Sequence, residues 1–182
     1  MAAKKNLFKL EKVSIRMVSD APIMSGYPIH SAKDAVRTLG DLLCEMDREV
    51  ICIINMKTDG TPINCTIVSI GAIDQAITNP REMLKASILS NAANMLILHN
   101  HPSGNLSPSK HDTMLTDRMV QVCDLMGIPL LDHIIIGADN EKYFSFREKD
   151  VMPYANIHLE NDYNAIKLSA PMVAEQQKKE VR

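Results

Sequence analysis

The sequence predicts an α/β fold, a mixed β-sheet flanked by helices. Three observations carry that expectation. Short apolar runs that suit strands alternate with amphipathic stretches at helical spacing. The turn Thr58-Asp59-Gly60-Thr61 joins two of the runs as a hairpin, so at least one strand pair is antiparallel and the sheet is not purely parallel. The chain has 182 residues, 46% of them apolar, enough to bury one core without disulfide staples.

Each element has its own local reason. Residues 11–18 place Val13, Ile15 and Met17 at alternate positions, a strand pattern. Residues 19–30, with Pro22, Gly26 and Pro28, make a turn-rich connection. Ser31 with Asp34 three residues on is a capping box, and Ala35, Val36, Leu39, Leu42 and Leu43 follow at helical spacing, so a helix runs to about residues 44–46. Residues 50–56 are almost continuously apolar, as a strand buried on both faces requires. Its hairpin partner is residues 63–70. Asn79-Pro80 opens a second helix containing Met83, Leu84, Ala86, Ile88 and Leu89. Residues 94–98 form a short apolar strand, and residues 99–108 are polar and turn-rich. A third helix spans about residues 109–126, ended by Gly127 with Pro129 beyond it. Residues 130–137 and 143–146 are the last strands, with Asp139-Asn140 turning between them. The domain plan is a strand-and-loop extension over residues 1–30, the main domain over 31–150, and a polar tail over 151–182.

Composition removes several function classes. A net charge of −2 argues against nucleic-acid binding through bulk charge, while leaving a local basic patch open. The apolar runs are far too short to span a bilayer. The opening Met-Ala-Ala-Lys-Lys-Asn has no apolar stretch after its lysines, so a cytoplasmic protein without a secretory signal is expected. Cys44, Cys52, Cys65 and Cys123 contain no Cys-x-x-Cys pair, and small buried hydrophobes in a reduced compartment are their expected role. A chain whose core rests on aliphatic residues and 12 Met also permits a homo-oligomeric interface.

The chemistry is concentrated in His99-Asn100-His101-Pro102-Ser103-Gly104-Asn105-Leu106-Ser107-Pro108-Ser109-Lys110-His111-Asp112. Two histidines one residue apart on an extended chain point to the same side. Asp112, in the first turn of the third helix, is the nearest candidate for a third ligand. Two imidazoles and a carboxylate leave a fourth position for water, the arrangement of a catalytic zinc site. Each piece also has a plain structural reading. A His-x-His pair occurs by chance, Ser109-x-x-Asp112 is itself a capping box, and Pro102, Gly104 and Pro108 are ordinary turn residues. Cap and ligand are compatible, because a cap fixes the aspartate where a metal site needs it.

The string His99-x-His101, seven residues, Ser109, two residues, Asp112 resembles the motif of the JAMM (JAB/MPN+) metalloproteases. The run His99-Asn100-His101-Pro102-Ser103-Gly104, Pro108-Ser109, Asp112 and Leu131-Asp132-His133-Ile134-Ile135 resembles the RadC-like branch of that family, over roughly residues 31–148. The resemblance implies a JAB/MPN, cytidine-deaminase-like architecture and a zinc-dependent hydrolase of peptide or isopeptide bonds. It implies His99, His101 and Asp112 as Zn2+ ligands and Ser109 as a partner of the metal-bound water or the tetrahedral intermediate. The residues alone leave Glu45, Asp47, Glu49 and Glu82 open as the acid–base group; the resemblance selects Glu49. It also implies a protein or peptide substrate.

The remaining candidates weigh less. His111 projects about 100° from Asp112 on a helix and is expected to be exposed. His133 fits a hydrogen-bonding role behind a ligand, but a structural polar residue at a strand end fits it better. Ser69-Ile70-Gly71 fits either a cleft wall or a strand-end turn. Many RadC-like proteins carry an N-terminal DNA-binding helix-hairpin-helix. About 30 residues precede the first helix here and contain no such hairpin, which weakens the alternative reading, a DNA-repair module acting on or near nucleic acid. A zinc deaminase requires His-x-Glu and Pro-Cys-x-x-Cys, and neither occurs.

Overall fold

The computed structural model describes residues 17, 23, 25–71, 79–159, 162, 164 and 165. The elements run α1 (Ala32–Cys44), β1 (Val50–Met56), β2 (Pro62–Ile70), α2 (Pro80–Leu89), β3 (Asn94–Asn100), α3 (Lys110–Leu125), β4 (Leu130–Ile136) and β5 (Tyr143–Ser145). The strands form one sheet in the order β2-β1-β3-β4-β5. Among the described residues β3 and β4 pair in parallel and the other neighbouring strands are antiparallel. The architecture is the expected mixed α/β sheet. The strand expected over residues 11–18 lies almost wholly outside the described residues.

All seven residues of β1 are buried, because helices cover both faces of the sheet. On one face Ala35, Val36, Leu39 and Leu43 of α1 pack against Cys52, Ile54, Leu98 and Ile134. On the other, Met83 of α2 and Met119 and Cys123 of α3 pack against Ile51, Ile53 and Ile97. Burying each large aliphatic side chain stabilises the fold by about 1.5–3 kcal/mol. Successive β3 residues alternate between the two layers, which places odd-numbered positions toward α2 and α3. Cys52 and Cys123 belong to these cores, and burial pushes both thiols up to about 12. All four cysteines are free.

The helix starts follow their capping signals. Ser31 Oγ accepts from the Asp34 N–H at 3.2 Å, and Asp34 Oδ2 accepts from the Ser31 N–H at 3.1 Å. Asn79 caps α2 ahead of Pro80. β3 departs from expectation. It continues through His99 and Asn100, two residues past the predicted end at Leu98, because His99 still pairs with Ile51 on one side and Ile135 on the other. Polarity marked these residues as loop, but the ladders on both flanks hold them as strand. Past β5, Asn156 N–H donates to Gln121 Oε1 and Gln121 Nε2 donates to Tyr154 O, which fastens the start of the polar tail to α3. Among the described residues no helix is long and apolar enough to cross a membrane.

The hairpin glycine is required twice over. Gly60 has φ +80°, and a Cβ there would meet Ile29 O at 2.7 Å, where the Ile29 N–H donates to Gly60 O. Gly60→Ala is therefore expected to destabilise the protein by about 1–2 kcal/mol or more, whereas Ile67→Thr, at an exposed position of β2, should stay within about 0.5 kcal/mol. Urea unfolding of the two variants checks this; equal, small losses would contradict the turn geometry.

Candidate metal centre

The two histidines leave the end of β3 on the α2/α3 side. His99 is fully buried and His101 nearly so. The His101 N–H donates to Ile136 O at 2.8 Å, which carries the β3–β4 pairing one residue past the strand. A tight turn follows, with Gly104 N–H donating to His101 O and Gly104 at φ +74°. The turn brings Asn105 O to 2.6 Å from His101 Nδ1. A carbonyl oxygen only accepts, so Nδ1 carries a proton, and whenever the ring is neutral Nε2 is bare.

The third group arrives on α3. Ser109 caps this helix, its Oγ accepting from the Asp112 N–H at 3.1 Å, and its own N–H donates to Asp112 Oδ2 at 2.7 Å. The cap aims the carboxylate back at the strand. Asp112 Oδ1 lies 3.2 Å from His99 Nε2, and Oδ2 lies 3.6 Å from His101 Nε2. The two Nε2 atoms are 3.0 Å apart. One ligand atom from each of the three residues falls within 4.8 Å of the others, and all three residues are buried.

These distances suit a metal. Ligand atoms about 2.0–2.1 Å from a tetrahedral ion stand roughly 3.3 Å from one another; the two Nε2 atoms, 3.0 Å apart, and the contact of one Asp112 oxygen with each of them, at 3.2 and 3.6 Å through different oxygens, lie close to that spacing. The donor set, two imidazole nitrogens and a carboxylate oxygen, is one that zinc accepts. Burial alone would raise the Asp112 carboxyl, but the His101 and His99 contacts and the Ser109 hydrogen bond outweigh it and hold the group far below the usual carboxylate range. The hydrogen bond to Asp112 pushes His101 up against the opposing effect of burial, with the Asn105 carbonyl and the charges of Asp112 and Glu49 assisting. The Asp112 carboxylate is thus held ionised beside two imidazoles, a donor set that suits a cation.

His133 is not a strand-end residue. It lies within β4, fully buried, with Nε2 2.8 Å from His99 Nδ1 and Nδ1 2.7 Å from Thr116 Oγ1. Its ring stacks on Phe146. Burial pushes it well below the ordinary imidazole range, so it is neutral. The expectation of a structural strand-end role is corrected: the parallel register sets His133 opposite Ile97, one pleat from His99 on the same face. His111 is exposed, as expected.

Glu49 is half-buried immediately before β1, and its carbonyl accepts from Gly71 N–H at 3.0 Å. The antiparallel register pairs Ile51 with His99; continuing it places Glu49 across from His101. Asn100 holds this segment. Its side chain points away from the histidines, accepts from Val50 N–H at 2.8 Å and donates to Arg48 O at 3.0 Å. Sequence reasoning missed Asn100 and Thr116. The signals were present: a polar residue between two same-face histidines must lie on the opposite face of a buried strand, and Thr116 stands one helical turn after Asp112. Asp132, in the same Asp-His pair, accepts from Ser145 Oγ at 2.5 Å and from Arg147 N–H at 3.0 Å, joining β4 to β5.

A family model described as RadC-like JAB domain matches residues 29–151. A UPF0758 protein of Protochlamydia amoebophila is 36% identical over 130 residues, 71% of this chain and 55% of that protein. One of Clostridioides difficile is 35% identical over 137 residues, 75% of this chain and 57% of its own length. One of Methanosarcina acetivorans is 36% identical over 121 residues, 66% and 52% of the two chains. The chain thus spans about half the length of the curated relatives it matches.

Removing the Asn100 side chain leaves the buried Val50 N–H without an acceptor, so Asn100→Ala is expected to cost about 1–3 kcal/mol of stability. Urea unfolding measures it, and a loss below about 0.5 kcal/mol would show that Asn100 does not hold the Arg48–Val50 segment.

Proposed function

Because the chain belongs to the RadC-like JAB domain family, matched over residues 29–151, we propose that it is a zinc-dependent metallohydrolase that cleaves peptide or isopeptide bonds. The observation that carries this reading is the convergence of His99 Nε2, His101 Nε2 and an Asp112 oxygen on one buried point. In neutral imidazoles these nitrogens are acceptors, as is the carboxylate, and among the described residues the Ser109 N–H donates to one Asp112 oxygen but no donor lies between all three groups. Charge and lone pairs concentrated this way, out of water, call for a cation.

His99, His101 and Asp112 would hold the ion, with the fourth position left to solvent. A bound zinc supplies a water acidic enough to act near neutral pH and polarises the scissile carbonyl. The remaining work falls to side chains of this chain. Glu49, across from His101 at the strand end, takes a proton at its carboxylate during attack and returns it to the departing amine. Its half-buried position keeps it open to solvent and substrate. Ser109 Oγ accepts from Asp112 N–H, which leaves the hydroxyl proton free to donate toward the oxyanion of the substrate. Burial of the histidines excludes bulk water and strengthens these electrostatic interactions.

Purified protein is expected to hold about one zinc per chain, read by elemental analysis, and His99→Ala or Asp112→Ala should lose it. Glu49→Ala should retain the zinc and lose cleavage of a fluorogenic peptide and isopeptide library. Protein that stays metal-free in zinc-replete medium would refute the metal site, and unchanged turnover in Glu49→Ala would refute the base.

A further inference from the structure

Behind His99 runs a chain of hydrogen bonds whose directions are forced by one backbone carbonyl. Thr116 Oγ1 lies 2.6 Å from Asp112 O. A carbonyl oxygen only accepts, so the threonine hydroxyl spends its single proton there. Its oxygen must then accept from His133 Nδ1 at 2.7 Å, so His133 carries its proton on Nδ1. A neutral imidazole protonated on Nδ1 has a bare Nε2, and this atom sits 2.8 Å from His99 Nδ1. The proton in that contact belongs to His99 Nδ1. A neutral His99 with its proton there has a bare Nε2, which faces Asp112 and His101.

We infer that Thr116 and His133 are positioning residues that lock His99 in the tautomer protonated on Nδ1, presenting an unprotonated Nε2 to the metal. The inference rests on the metal reading of the centre and extends it to two residues that touch neither metal nor substrate. The lock works by exclusion. If His133 turned its proton to Nε2, it would donate to His99 Nδ1, and the proton of neutral His99 would move to Nε2, inside the ligand cluster. The threonine prevents this because the Asp112 carbonyl has already taken its proton. The same carbonyl belongs to the residue whose carboxylate completes the cluster, so the first turns of α3 set both the third ligand and the tautomer of the first. His101 needs no such chain, since Asn105 O holds its Nδ1 proton directly.

Two substitutions of similar size separate the lock from packing. Thr116→Val keeps the shape and removes the hydroxyl; Thr116→Ser keeps the hydroxyl. With wild type beside them, zinc affinity is measured by competition with a chromophoric chelator. Imidazole tautomers of the metal-free proteins are read from two-bond 1H–15N correlation spectra, and thermal unfolding confirms that each is folded. Thr116→Val is expected to bind zinc about 10–100-fold more weakly and to show a mixture of His99 tautomers; Thr116→Ser should match wild type in both. Thr116→Val with wild-type affinity and a single His99 tautomer protonated on Nδ1 would overturn the lock while leaving the metal site standing. If wild type takes up no zinc, the metal reading fails on its own, and the spectra of the metal-free proteins still decide the lock: a His99 protonated on Nε2 in wild type overturns it.

Discussion

The centre depends on one constraint: a buried polar group must be satisfied, and here, among the described residues, the ring N–H groups of both histidines and the Ser109 N–H already have partners. Asn105 O takes the His101 Nδ1 proton, His133 takes that of His99, and the Ser109 N–H meets Asp112 Oδ2. What remains points inward, two bare nitrogens and a carboxylate oxygen sharing a space that one cation would fill. Leaving such acceptors unsatisfied in a dry interior costs several kcal/mol. The same arrangement that fixes the ligands creates the demand for what they bind.

The fold supplies this arrangement through the position of β3. It lies between an antiparallel neighbour and a parallel one, so each flank delivers something different. β1, running the opposite way, begins where β3 ends and sets Glu49 across from His101. β4, running the same way, sets His133 beside His99. A parallel pair needs a long crossover, and α3 is that crossover, with its N-terminal turn returning Asp112 to the end of the strand it has just left. Asn100 ties the end of β3 to the segment entering β1 from the opposite face, through Val50 and Arg48. The helical layers on both sides keep water out.

Much of this was legible in the residues. The capping boxes at Ser31 and Ser109, the hairpin at Gly60 and the doubly buried run of β1 are local signals, and each appears where it was expected. The alternation of strand side chains was enough to put His99 and His101 on one side, and Asp112, the nearest candidate at the start of the third helix and the one the family resemblance also implied, is brought to them by the geometry. The end of β3 was misjudged because pairing with two neighbours, a tertiary effect, kept polar residues extended. Asn100 and Thr116 carried local signals, but their partners, like the placement of His133 beside His99, depend on pairing between elements distant in sequence, which no local pattern encodes. The roles of Glu49 and Ser109 came from the resemblance; the structure supplies their placement.

The chemistry of the centre turns on where a divalent ion sits. An anomalous difference map from a crystal of the zinc-loaded protein, collected at the zinc edge, tests this most directly. The account predicts one peak about 2.0–2.2 Å from His99 Nε2, His101 Nε2 and an Asp112 oxygen, with solvent as the fourth ligand. A peak ligated elsewhere, or full zinc occupancy with these three side chains unligated, would contradict it.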